Sequence, residues 1–132
     1  MTDSESKARK KILKFYNNEC YIKKIPDYKI SGVMSGGLPD YLVIVNGCTI
    51  WYEIKSLNGK KKSLTFDTFT NQQCKEFTLM IKHGSLIYIY LIHGKKYYNI
   101  TWNQVYSYML EGARKSIPIK LIKEWNDKNG TD

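Results

Sequence analysis

The chain has 132 residues, with 21 lysines and arginines against 12 aspartates and glutamates and a formal net charge of +9. That length corresponds to one domain with a modest core, and basic clusters without compensating acids favour a polyanionic partner, nucleic acid above all. Three cysteines without C-x-x-C spacing and two histidines argue against a disulfide framework or a zinc site; no apolar run approaches the ~18 residues of a membrane span, so the chain is expected to be soluble and intracellular.

In chain order, Thr2-Asp3-Ser4-Glu5 reads as a capping box that opens a helix running to about residue 18. Ala8, Ile12, Leu13 and Tyr16 form its inner face, and Glu5 shares that face by its spacing of three to Ala8 and seven to Ile12. Residues 21–33 are a mixed segment broken by Pro26, with one short strand expected within 28–33. Ser35-Gly36-Gly37 then bends the backbone ahead of Pro39, either as an ordinary loop or as a place where DNA approaches closely.

Residues 40–45 and 48–55 read as two strands joined by Asn46-Gly47, a strong signal for a two-residue type I′ hairpin. Counting outward from that turn, Val45 faces Cys48, Tyr41 faces Tyr52, and Asp40 arrives opposite Glu53. Directly opposed side chains lie about 5 Å apart at Cβ, and like charges there destabilise the pair. Lys55 projects from the same face as Glu53, while Ile54 points the other way. Two carboxylates and an ammonium on one patch suit a hard divalent cation bound through oxygen. The alternative from the residues alone is structural, with Lys55 pairing Glu53 and Asp40 capping a turn.

Residues 56–69 read as a loop carrying Lys60, Lys61 and Lys62. Thr70-Asn71-Gln72-Gln73 is a second capping box, with Phe77, Met80 and Ile81 inside and Gly84 at the end. Residues 85–93 form a central strand, Gly94-Lys95-Lys96 a turn, and residues 97–100 the next strand. Thr101-Trp102-Asn103-Gln104 opens a third box, whose helix carries Val105, Tyr108 and Met109 toward Gly112. Pro118 begins a last short helix, with Leu121, Ile122 and Trp125 packing on the body or on a second copy. Lys10, Lys11, Lys60, Lys61, Lys62, Lys95 and Lys96 are the candidate nucleic-acid contacts. Tyr97 and Tyr98 are strand residues that could also stack on bases.

The series Gly37-Leu38-Pro39-Asp40, Glu53-Ile54-Lys55 and Thr70-Asn71-Gln72-Gln73 resembles the G-x-PD, E-x-K and T-x-x-Q motifs of the PD-(D/E)xK nuclease superfamily. Within it, the chain looks like the small stand-alone VRR-NUC type found in phages. The resemblance implies an α/β fold, a restriction-endonuclease-like mixed sheet flanked by helices with an αβββαβ core over about residues 4–93 and an extension over 94–132, in one domain. It also implies Mg²⁺ or Mn²⁺ held by Asp40, Glu53 and the Ile54 carbonyl, with Glu5 approaching from the first helix and Lys55 placing the attacking water. For Gln73 it adds a site role beside its capping role. The activity implied is metal-dependent hydrolysis of DNA, with branched or four-way-junction substrates and a homodimer by analogy. Duplex or flap cleavage, a viral endoribonuclease, and a basic DNA-binding module without catalysis are the alternatives.

Overall fold

The computed structural model describes residues 3–26, 29–30, 33–34 and 37–125. Helix α1, Asp3–Phe15, buries Ala8 and Ile12 as its heptad-like spacing requires. It stops at Phe15 rather than near residue 18. Asn17 and Asn18 adopt left-handed φ of 55° and 59°, a conformation that asparagine tolerates and a continuing helix cannot use. Thr2 lies outside the described residues, so the first capping box is not described.

Strand β1, Tyr21–Lys24, was not anticipated. It pairs antiparallel with β4, Tyr41–Val45, at the sheet edge, and its polar Y-I-K-K sequence is that of an edge strand rather than a core one. The single strand expected within 28–33 is instead two short strands, β2 Lys29–Ile30 and β3 Val33–Met34, which pair with each other and not with the main sheet. The hairpin of β4 with β5, Cys48–Leu57, has the anticipated register from Val45↔Cys48 to Tyr41↔Tyr52. Asn46 and Gly47 both have positive φ, 50° and 76°, as a type I′ turn demands.

The expected loop over 56–69 is shorter. Strand β5 continues to Leu57, and β6, Ser63–Thr65, leads into a 3₁₀ turn over Phe66–Thr68. Strand β6 pairs with β9, Ser116–Pro118, burying Leu64 against Ile117. The partner lies some fifty residues downstream, so no local signal marked it. Helix α2, Asn71–Lys82, and helix α3, Trp102–Glu111, each begin in a complete capping box, on Thr70 with Gln73 and on Thr101 with Gln104. Between them β7, Leu86–His93, runs parallel to β5 and turns into β8, Lys96–Thr101. After Pro118 there is only a 3₁₀ turn, Ile119–Leu121, not a helix. The chain then adds β10, Lys123–Glu124, beside β8, and Trp125 packs on the body against Phe15 and Tyr90, ring centroids 4.9 and 4.8 Å away.

The result is a six-stranded mixed sheet in the order β1-β4-β5-β7-β8-β10 with a core on each face. Ala8, Ile12, Tyr41, Val43, Ile50, Tyr52 and Tyr90 fill the α1 face. On the other, α2 and α3 pack Phe77, Trp102 and Val105 on Ile87, Ile89 and Leu91. No described helix is long and apolar enough to cross a membrane. Trp102 is fully buried, edge-on to Phe69 and Phe77 at 5.0 and 5.2 Å, and its indole N–H donates to Thr78 Oγ1 at 3.2 Å. Trp102→Ala is expected to cost about 3–5 kcal/mol in equilibrium urea unfolding. A loss below about 1 kcal/mol would show that the two helices do not depend on this ring.

Candidate active site

The β4–β5 ladder closes at Tyr41↔Tyr52, so Asp40 stands one residue beyond it, at the open end of β4. Its backbone is still anchored, because its carbonyl accepts from the Ile25 amide at 2.7 Å. Its carboxylate turns onto β5, where Oδ2 accepts from the Ile54 amide at 2.8 Å. The amide and carbonyl of a strand residue share one edge, so the Ile54 carbonyl faces this side too. Upstream, Gly37 has φ of 107° and lies against α2 so closely that an added Cβ would meet Glu76 Cγ at 3.0 Å and Gln72 Cγ at 3.2 Å. Close approach at this glycine is therefore to the protein's own helix, and it seats the Pro39-Asp40 turn there.

Alternation along β5 sends Tyr52 and Ile54 to the α1 core and Glu53 and Lys55 to the α2 side. Lys55 Nζ is 3.4 Å from Glu53 Oε2 and donates to Gln73 Oε1 at 3.2 Å, over the Phe69 ring. Gln73 Nε2 donates to Glu53 Oε2 at 3.0 Å. Gln73 also completes its capping box, its Oε1 accepting from the Thr70 amide at 3.1 Å. Since that amide can only donate, the oxygen must face Thr70 and the NH₂ must face Glu53. The choice between cap and site is therefore no choice, because one amide does both.

Glu5 stands on the other side of the sheet. The motif resemblance implied that it approaches the metal; the structure joins it to Asp40 through Lys24, whose Nζ lies 3.3 Å from Glu5 Oε2 and 3.3 Å from Asp40 Oδ1. Lys24 shares the α1 face with Ile22, two residues earlier on β1. Among the described residues no three His, Cys, Asp or Glu side chains converge as a metal-holding group. Lys24 is the site residue that sequence reading missed; a lysine on a polar edge strand carries no local mark of its partners.

Glu53 is only 3% exposed. Burial pushes its carboxyl up to about 8 and the neighbouring Asp40 charge adds to this; Lys55 and Gln73 pull the other way without cancelling it. Its Oε1 is buried with no hydrogen-bond partner. A buried carboxylate oxygen left unmatched is costly, and a divalent cation would satisfy it. Two carboxylates and a backbone carbonyl are hard oxygen donors of the kind that Mg²⁺ or Mn²⁺ takes with water and phosphate. The residues present thus fit the metal that the motif series implies.

The basic residues border this site. Gly59 packs on Gly94, and His93 Nε2 meets the Lys61 carbonyl oxygen, so the Lys60–Lys62 loop and the Lys95–Lys96 turn lie side by side. Leu57 pairs with His93 two residues after Lys55 pairs with Leu91, which places both beyond the same end of the sheet. Lys11 joins them from α1, its Nζ 4.6 Å from the Tyr97 ring centre, and Lys10 is exposed on that helix.

A family model described as RecU, recombination protein U, matches residues 27–129. The match spans Asp40, Glu53, Lys55 and Gln73 but begins after Glu5 and Lys24. The solved structure of Archaeoglobus fulgidus Hjc, a Holliday junction resolvase from an archaeal hyperthermophile, is similar in fold, with a TM-score of 0.57 and 15% identity over 89% of this chain and 92% of that chain. No curated protein is a significant match.

The raised carboxyl of Glu53 has a consequence for stability. Between its ordinary value of 4.5 and about 8, the folded, metal-free protein keeps a proton that the unfolded chain has released. Its contribution is therefore fully present below the lower value and is lost as pH rises through the upper one. In EDTA, thermal unfolding of the native protein should weaken across that window relative to Glu53→Gln. At the alkaline end the variant should be more stable by ~1–3 kcal/mol. Parallel pH profiles for the two proteins would show that Glu53 is not held against its charge.

Proposed function

Because this chain belongs to the RecU family, we propose that it acts as a Holliday junction resolvase, a structure-selective DNA endonuclease in which Asp40, Glu53 and Lys55 form the hydrolytic site. The family belongs to the PD-(D/E)xK nuclease superfamily, as the motif series implied. The VRR-NUC subtype and the phage setting suggested by the same motifs are not supported. The observation that carries the site assignment is the buried, unmatched Oε1 of Glu53 beside Asp40, an oxygen that calls for a cation in an otherwise basic protein.

Asp40, Glu53 and the Ile54 carbonyl would hold one Mg²⁺ or Mn²⁺, which when bound polarises a phosphoryl oxygen and acidifies a bound water. Lys55, held by Gln73 and Glu53, places the attacking water and offsets negative charge on the phosphate. Gln73 keeps both side chains in register from the N-terminus of α2. The Lys60–Lys62 loop, the Lys95–Lys96 turn, Lys10 and Lys11 hold the DNA backbone at the same end of the sheet, which makes binding steeply salt-dependent. A homodimer would present two such sites to the symmetry-related strands of a four-way junction.

Incubation with single-stranded, duplex, flap and four-way-junction DNA tests this reading. Symmetric nicks at the junction, dependent on Mg²⁺ or Mn²⁺, are expected. Asp40→Asn and Lys55→Ala should each slow cutting by about 10²-fold or more. Equal cutting of every DNA would overturn junction selectivity, and cleavage persisting in EDTA would overturn the metal site.

A further inference from the structure

Three carboxylates, Glu5, Asp40 and Glu53, and two ammonium groups, Lys24 and Lys55, meet around the end of β4, but they are divided between two sides of the sheet. On the α2 side stand Glu53 with its unmatched oxygen, Lys55 and Gln73. On the α1 side, Lys24 Nζ sits midway between Glu5 Oε2 and Asp40 Oδ1 at 3.3 Å from each, 5.4 Å from the centre of the Tyr41 ring. Two carboxylate oxygens gathered about one point are donors of the kind a divalent ion takes, and here the point is filled by the ammonium. Lys24 is more than two-thirds buried in that position. Its ammonium is thus held between two carboxylates and over an aromatic ring.

We infer that Lys24 takes the place of a second divalent cation, so that the site binds one ion, on the Glu53 side of Asp40. This rests on the assignment of Asp40 and Glu53 as metal ligands. Formal charge agrees with it. With Glu53 ionised, as a ligand must be, the five side chains sum to one negative charge, so one divalent ion and one phosphodiester bring the site to neutrality, whereas a second ion would leave two uncompensated positive charges in a partly buried place. The division also accounts for Glu5, which works through Lys24 on the position of Asp40 and is a positioning residue rather than a ligand.

Counting bound Mn²⁺ on the full chain without DNA, from the electron paramagnetic resonance signal of the free ion, reads this directly. One ion is expected for the native protein and for Lys24→Arg, two for Lys24→Met, and one again for Lys24→Met combined with Glu5→Gln. Two ions on the native protein would overturn the inference whether or not any variant folds, and leave the Asp40 and Glu53 assignment standing. A count of one for a folded Lys24→Met, checked by circular dichroism, would also overturn it. No ion on the native protein would sink the ligand assignment itself.

Discussion

The placement of Asp40 beside β5 is the constraint from which the rest of the site follows. It depends on the type I′ reversal at Asn46 and Gly47, since strand register has a period of two and a slip of one residue would send Glu53 and Lys55 into the α1 core and Ile54 out of it. The apolar residues of β5 resist such a slip, because Ile50, Tyr52 and Ile54 pack on α1 while Trp51 packs on the opposite core. The same packing that stabilises the sheet thus keeps a carboxylate buried and uncomfortable beside another.

Ending the ladder at Tyr41 is as important as its register. Were β4 longer, the Ile54 amide would pair with backbone and Asp40 would lie flat against Glu53. Instead the strand stops, the amide takes Asp40 Oδ2, and the carboxylate sits at an open end reachable from both sides of the sheet. That position lets α1 contribute through Lys24 and Glu5, and α2 through Gln73. Because Gln73 spends one oxygen on the Thr70 cap and its NH₂ on Glu53, the start of α2 and the geometry of Glu53 cannot vary independently. Each is pinned by a single amide.

What could be read in the sequence was local. The hairpin, its register, the boxes at Thr70 and Thr101, and the Asp40, Glu53 and Lys55 patch all depend on spacings within about twenty residues, where turn and cap chemistry is written in the chain. What could not be read depends on partners far along it. Strand β1 has too polar a sequence to announce itself, β6 exists because β9 meets it, and β10 needs β8. Within the β/helical extension expected over 94–132, the strand at 97–100 was legible and is β8, whereas β10 was not. Helix α1 was overextended because hydrophobic spacing continues to Tyr16, while backbone conformation at Asn17 and Asn18 ends the helix first.

Lys24 shows why the electrostatics were least legible. In the sequence Glu5 shares a helix face with core residues and stands in a capping box, and only the motif resemblance made it approach the metal. The sheet intervenes: Tyr41 and Ile22 on its α1 face bring a lysine between Glu5 and Asp40. A cation carried by the chain cannot diffuse away, and its ~2 kcal/mol or less of rotamer entropy is a small cost against leaving two partly buried carboxylates unbalanced. Asp40 is therefore fixed before any ion arrives, and Glu53 keeps beside it a buried oxygen that makes no hydrogen bond.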